Sequence, residues 1–181
     1  MHTEKQLIEE CLKNNKKAQK NLFDRFAPIL LGVCIRYTKD RAEAEDVLQE
    51  VFVKIFKSLK QFEDKGSFEG WLKRITVNTA ITYYRKNLKH AFHDDVSEIK
   101  ETIIVNNQHK DVEFTHNELL NVINTLPDGY KIVFNMFAVE GYKHKEIAEK
   151  LDIDISTSKS QYSRARKLIQ QKLNELQKIN T

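Results

Sequence analysis

At 181 residues and 21.3 kDa, with 40% hydrophobic and 31% charged residues and a mean hydropathy of −0.57, the chain can build one domain or two small ones around modest cores. Its five glycines and two prolines fall well below the usual shares of about 7% and about 5%. That excludes an all-β sandwich or barrel, which needs a turn every ~8–12 residues. The glycines at 32, 66, 70, 129 and 141 form neither G-x-G-x-x-G nor G-x-x-x-x-G-K, so nucleotide-binding fingerprints are absent. A formal charge of +4 and a pI near 8.9 are modest, and the distribution of charge has to carry any inference about partners.

The first twenty residues, MHTEKQLIEECLKNNKKAQK, are interrupted by charge throughout and lack the apolar core of a signal peptide. Leu7, Ile8, Cys11 and Leu12 fall on one face of a 3.6-residue period. Phe23, Phe26, Ile29, Leu30, Val33, Cys34 and Tyr37 predict a second helix. Its apolar run from Ile29 to Ile35 is far short of the ~18 residues that cross a bilayer. The two cysteines, Cys11 and Cys34, lie on helical patterns and form no C-x-x-C, so they read as buried thiols rather than a disulfide framework or a zinc site. A soluble, cytoplasmic chain without membrane insertion, metal or cofactor is expected.

A third run follows, with Ala44, Val47, Leu48, Val51, Phe52, Ile55, Phe56, Leu59 and Phe62 inward and Glu43, Asp46, Glu50, Lys54 and Lys57 outward. After the polar loop Glu63-Asp64-Lys65-Gly66-Ser67, a fourth helix is predicted from about Phe68 to Leu88. Residues 91–116 have no sustained period and carry two Lys/Arg against six Asp/Glu, which reads as a flexible acidic linker. His90, His93, Asp94 and Asp95 at its entrance read better as solvated side chains than as a metal site. Residues 1–90 carry 18 Lys/Arg against 12 Asp/Glu, and residues 117–181 carry 10 against 8.

The last part restarts with a helix from Asn117 to Leu126, ended by Pro127-Asp128-Gly129. Tyr130 to Glu140 is predicted as the next helix, stopped at Gly141, and His144 to Leu151 as another. After a turn at residues 152–155, Ser156 is the predicted N-cap of a long helix reaching about Gln177. A short helix, a tight turn and a longer helix make a helix-turn-helix pattern. The expected fold is all-α: two small helical modules, 1–90 and 117–181, joined by the linker at 91–116, the second a four-helix helix-turn-helix domain.

Two stretches contain cations and no acid. Between Trp71 and Phe92 lie Lys73, Arg74, Arg85, Lys86 and Lys89, and between Ile155 and Asn174 lie Lys159, Arg164, Arg166, Lys167 and Lys172. Surface helices ordinarily mix signs, because i,i+4 pairs support them. Two all-cationic helices, one in a helix-turn-helix, point to a polyanion, since each neutralised phosphate releases counterions. The first stretch adds Phe68, Trp71, Asn78, Thr79, Thr82, Tyr83 and Tyr84, aromatics and amides suited to unpaired bases. Trp71 and Tyr84 also suit a core. The second opens with Ser156-Thr157-Ser158-Lys159-Ser160-Gln161, which suits the N-terminus of a major-groove helix.

Specific strings then carry a resemblance. Asp40-Arg41-Ala42-Glu43-Ala44-Glu45-Asp46-Val47-Leu48-Gln49-Glu50-Val51-Phe52 resembles the polymerase-binding helix of sigma region two. Gly66-Ser67-Phe68-Glu69-Gly70-Trp71-Leu72-Lys73-Arg74-Ile75 with Val77-Asn78-Thr79-Ala80 resembles its melting segment. Leu126-Pro127, Gly141-Tyr142, Glu146-Ile147-Ala148 and Ser163-Arg164-Ala165-Arg166 resemble region four. The chain is similar in this way to bacterial extracytoplasmic-function (ECF) sigma factors over nearly its whole length.

The resemblance implies an RNA polymerase sigma factor, not an enzyme, that directs core polymerase to promoters and starts strand opening. Asp46, Gln49, Glu50 and Phe52 would dock on core polymerase. Phe62, Phe68, Trp71, Arg74 and Asn78 would open the downstream element and hold the melted nontemplate strand. Ser156, Lys159, Ser160, Gln161, Ser163 and Arg164 would contact the upstream element as duplex, with Arg166 and Lys167 on phosphates. An anti-sigma factor or another recruiting or regulatory protein is the implied further partner. Many relatives carry Gly-Thr-Val-Arg-Ser-Arg where this chain has Ser156 to Gln161. Ser158 replaces an apolar seating residue, and lysine and glutamine replace arginines, each worth about 1–3 kcal/mol of base discrimination when bidentate. Weaker or altered upstream reading is therefore expected. The alternatives are a helix-turn-helix regulator that does not depend on polymerase, a nuclease or recombinase, and a protein-only interaction module. The second lacks a convincing carboxylate cluster, and the first leaves residues 40–90 without a task.

Overall fold

The computed structural model describes residues 3–91 and 114–179, all helices and short connections. The chain divides into two compact units, Met1–Asn87 and Leu88–Thr181. Residues 92–113, and with them most of the expected linker and His93, Asp94 and Asp95, lie outside the described residues.

Unit one holds α1 (Glu4–Leu12), α2 (Lys16–Ile35), α3 (Arg41–Ser58), a 3₁₀ turn (Leu59–Gln61) and most of α4 (Phe68–Ala91). Side-chain caps start its helices. Thr3 and Gln6 form a reciprocal capping box on α1, with Gln6 N donating to Thr3 Oγ1 at 3.3 Å and Thr3 N donating to Gln6 Oε1 at 3.0 Å. The Asn15 side chain accepts from Lys17 N and Ala18 N at 3.0 and 3.2 Å, and Asp40 accepts from Glu43 N at 2.9 Å. Apolar stripes of α2 and α3 then meet: Leu22, Phe26 and Leu30 pack with Val47, Val51 and Ile55, and α4 adds Phe68, Leu72, Val77 and Ala80, all buried. Cys11 and Cys34 are both free thiols in this core. Burial pushes the Cys34 thiol up to about 12, so it is inert packing rather than a nucleophile.

Unit two holds α5 (His116–Asn124), α6 (Asp128–Phe134) with a π turn (Asn135–Val139), α7 (His144–Leu151) and α8 (Ile155–Ile179). Helices α5, α6 and α7 all pack on α8. The core is Ile132, Val133, Met136, Ile147, Ala148, Leu151 and Ala165, with Ser158 buried among them.

Three local expectations need correction. Pro127-Asp128-Gly129 begins α6 rather than merely ending α5. The Pro127 carbonyl accepts from Tyr130 N and Lys131 N at 2.9 Å each. Proline is at ease there because a helix start has no use for its missing N–H, and Asp128 favours the dipole's positive end. The helix predicted for residues 130–140 is not uniform. Glu140 N donates to Asn135 O at 3.0 Å, an i→i+5 bond, and Tyr142 N reaches Met136 O at 2.9 Å. Gly141, at φ 76°, makes the exit that a side chain would strain. Finally, α8 starts at Ile155, with Ser158 N donating to Asp154 O at 3.0 Å, so Ser156 lies inside the first turn and does not cap it.

Candidate nucleic-acid interface

The helix-turn-helix is α7, a turn at residues 152–154 and α8. Asp152 closes α7 in the left-handed region, at φ 59° and ψ 49°. On α8, the buried Ser158 and Ala165 mark the inward side. At about 100° per residue, Ser156, Lys159, Ser160, Ser163, Arg166 and Lys167 fall within an arc of about 120° opposite them. All six are exposed. This face carries three cations and three hydroxyls, with no carboxylate before Glu175.

Gln161 and Arg164 sit on a different side of α8. The Gln161 amide packs over Gly129, with Nε2 3.4 Å from where a Cβ would stand. The Arg164 Nη1 donates to Tyr130 Oη at 3.5 Å while the side chain stays exposed. Both therefore lean toward the start of α6. Ser160 Oγ turns back to donate to Thr157 O at 3.0 Å. The Arg166 guanidinium lies 6.0 Å from the Tyr162 ring centroid, which steadies its stem over the aromatic face.

In unit one, four rings form a chain. Phe26 meets Phe68 edge-on at 5.6 Å, Phe68 stacks on Trp71 at 5.9 Å, and Phe62 lies 5.0 Å from Phe68 and 5.6 Å from Trp71. Phe68, only 1% exposed, is the core end of this chain. Phe62 and Trp71 are half-buried at its outer edge. Between them runs the 62–67 loop, where Gly66 holds φ 137°. Ser67 starts α4, its Oγ accepting from Gly70 N at 3.3 Å. Trp71, Arg74 and Asn78 are spaced i, i+3, i+7 and share one stripe of α4. Arg74 is exposed and Asn78 half-buried. Lys73 is less available than its acid-free neighbourhood suggested, because Glu69, just upstream, pairs with it at 2.7 Å.

On α3, Asp46 and Gln49 are exposed, and Glu50 pairs with Lys54 at 2.7 Å. Phe52 is buried at 4% exposure, 4.5 Å from Phe23 and 6.1 Å from Phe56. The apolar groups that reach the surface here are Phe23, 40% exposed, and Val53, 51% exposed. Val53 shares the Asp46–Gln49 stripe, a register that the heptad spacing displays but that its apolar character disguised. Two other residues escaped notice in the sequence. His144, at the start of α7, stacks on Phe137 at 4.4 Å and lies 3.0 Å from Ser158 Oγ through Nδ1, and Tyr162 packs 4.4 Å from Phe137. Burial, then the nearby Lys159 charge, holds the His144 imidazole below its ordinary pKa.

Among the described residues, no group of three or more His, Cys, Asp or Glu is placed to hold a metal, and no helix is long and apolar enough to cross a membrane.

Residues 22–89 match the Sigma-70 region 2 family and residues 116–169 the Sigma-70, region 4 family. The chain is 31% identical to an ECF RNA polymerase sigma-E factor of Haemophilus influenzae, over 96% of this chain and 97% of that one. It is 28% identical to an RNA polymerase sigma-H factor of Pseudomonas aeruginosa, over 96% and 95%. A solved sigma factor from Bartonella quintana, RpoE in complex with the anti-sigma factor NepR, aligns with a TM-score of 0.48 at 22% identity, covering 86% of this chain and 96% of that one. With a relative above 30% identity matched along almost its whole length, and both sigma regions present in order, the chain belongs to the ECF RNA polymerase sigma factor family.

Proposed function

We propose that this sigma factor brings core RNA polymerase to promoters by dividing three tasks among the surfaces described above. The observation that supports this reading best is the exposed, acid-free face of α8, which combines Lys159, Arg166 and Lys167 with three serines on the second helix of a helix-turn-helix. Lys159, Ser160 and Ser163, with Ser156 at the helix start, face the base edges of the upstream element. Arg166 and Lys167 hold phosphates. Gln161 and Arg164 lean toward α6, so direct base reading rests chiefly on Lys159, and upstream discrimination is modest.

Opening of the downstream element belongs to unit one. The half-buried rings of Phe62 and Trp71 accept an unstacked nontemplate base, a contact worth roughly 1–3 kcal/mol per base. Phe68 backs both rings from the core. Arg74 takes a phosphate and the Asn78 amide a base edge. Core polymerase docks on the α3 surface of Asp46, Gln49 and Glu50, with Phe23 and Val53 as its apolar centre and Phe52 supporting Phe23 from beneath. A regulatory protein that covers this surface, such as an anti-sigma factor, keeps the chain from polymerase. The chain itself catalyses no reaction and works in the cytoplasm.

The division of labour is tested with holoenzyme on one promoter, measuring duplex binding and strand opening separately. Asn78→Ala lowers opening more than binding, and Lys159→Ala does the reverse. Equal loss of both by both variants rejects the division.

A further inference from the structure

Ser158 poses a physical question that the fold answers. It is completely buried on the inward side of α8, where a hydroxyl without a partner is unfavourable. Its partner is His144, fourteen residues away at the start of α7, with Nδ1 and Oγ 3.0 Å apart. The bond links the two helices of the helix-turn-helix across their turn, whichever atom carries the proton.

The imidazole is itself held in place. Its plane lies 17° from that of Phe137 in the π turn, at a centroid distance of 4.4 Å. Tyr162 meets it edge-on at 5.8 Å and packs against Phe137 at 4.4 Å and Phe134 at 6.0 Å. Ser158 and Tyr162, spaced i and i+4, stand one turn apart on the same side of α8. His144 therefore touches α8 twice, once through a directional bond and once through a ring edge.

A hydrogen bond weakens steeply as its angle departs from linear, whereas an apolar contact tolerates sliding. This matters for a helix that displays its readers on the opposite side. Rotating α8 by about 20° swings a side-chain tip at a radius of ~6 Å through about 2 Å. A displacement of that size takes Lys159 or Ser163 out of hydrogen-bond range of a base edge.

We propose that the His144–Ser158 pair is a positioning latch that sets the rotational register of α8 and, through it, the discrimination among upstream promoter sequences. The inference rests on the reading of α8 as the upstream-element helix. His144 and Ser158 touch no DNA; they act through Lys159, Ser160 and Ser163.

The test uses holoenzyme reconstituted with the full chain and a set of promoters that differ by single upstream base pairs. It reads transcription from the best promoter, the ratio of best to substituted promoters, and the thermal midpoint of each variant. Ser158→Ala and His144→Phe, which keeps the ring stack but loses Nδ1, should each lower the ratio at least about fivefold, the low end of one bidentate base contact. The double variant should be no worse than the worse single one, because both remove the same bond. His144→Asn places an amide atom near the position of Nδ1 and should retain more of the ratio than His144→Gln, which places it one bond further out. If the variants melt earlier yet keep the wild-type ratio, or if the two single losses multiply in the double variant, the latch is wrong. If wild type shows no dependence on the upstream sequence at all, it is the reading of α8 that fails.

Discussion

Removing Lys167 from the outer face of α8 tests the electrostatic reasoning most quantitatively. Lys159, Arg166 and Lys167 are exposed on one arc of the helix, and none of them has a carboxylate neighbour within the acid-free stretch. If Arg166 and Lys167 each neutralise one phosphate, together they contribute a slope of about −1.8 to log affinity against log salt. Between about 50 and about 200 mM salt, that amounts to a loss of roughly 12-fold in the phosphate share of α8 binding. Lys167→Ala leaves Arg166 as the phosphate contact, a slope share of about −0.9 and a loss of roughly 3.5-fold over the same range. The assay is competition binding of wild-type and variant holoenzymes to one promoter duplex across a salt series. The contribution of polymerase cancels in the difference. The expected result is a slope shallower by about 0.9 and an affinity loss nearly uniform across upstream sequences. An unchanged slope, or a loss confined to certain sequences, refutes the assignment of Lys167 to a phosphate.

Three further outcomes follow from other parts of the chain. Phe68→Ala empties the core end of the four-ring chain and should cost ~3–5 kcal/mol of unit-one stability in urea denaturation; a loss under ~1 kcal/mol would mean that the rings are not packed on one another. Val53→Asp, at a half-exposed position, should change stability by no more than ~0.5 kcal/mol. It should weaken core-polymerase binding at least about tenfold, because a carboxylate placed in the apolar centre of the contact is desolvated there without a partner; co-sedimentation at wild-type strength would remove α3 from that interface. The third concerns pH. The folded-state pKa of His144 lies below its ordinary value of 6.5, owing to burial and then Lys159, while the uncharged Phe137 and the Tyr162 ring pack against it. As pH falls through about 6.5 the unfolded chain takes up this proton before the folded one, so stability is lost with acidification and levels off below the folded pKa. The thermal midpoint should therefore fall more steeply between about pH 7.5 and about pH 5.5 in wild type than in His144→Phe; parallel curves would contradict it.

Much of the fold was legible because its helices are amphipathic. The inward positions Val47, Val51 and Ile55 of α3, and Ile147, Ala148 and Leu151 of α7, follow directly from the 3.6-residue period. Punctuation was less legible. Pro127 and Gly129 read as a stop, yet the chain uses them to start α6, since proline fits a helix start as well as it ends one. Aromatic residues were less legible. Phe52 and Phe68 were expected at interfaces but are buried, whereas Phe62 and Trp71, expected beside Phe68, are half-buried, and Phe23, placed on an apolar helix face, is exposed. At α8, the register of Ser158 with Ala165 marks it as an inward residue, so its burial could be inferred. Its bond to His144 could not, because it joins positions fourteen apart that only the turn at residues 152–154 brings together. The lean of Gln161 toward Gly129 is likewise a tertiary contact without a local signal.

The central claim is that this chain confers promoter-specific initiation on core RNA polymerase. The most direct measurement is in vitro transcription from a promoter library by core polymerase with and without the protein. Defined start sites should appear only when the protein is added and should share upstream and downstream elements, and Asn78→Ala and Lys159→Ala should weaken them through different steps. Transcription by core polymerase that is unchanged by the protein, alongside DNA binding by the protein alone, would contradict the account and leave a helix-turn-helix protein that acts without polymerase.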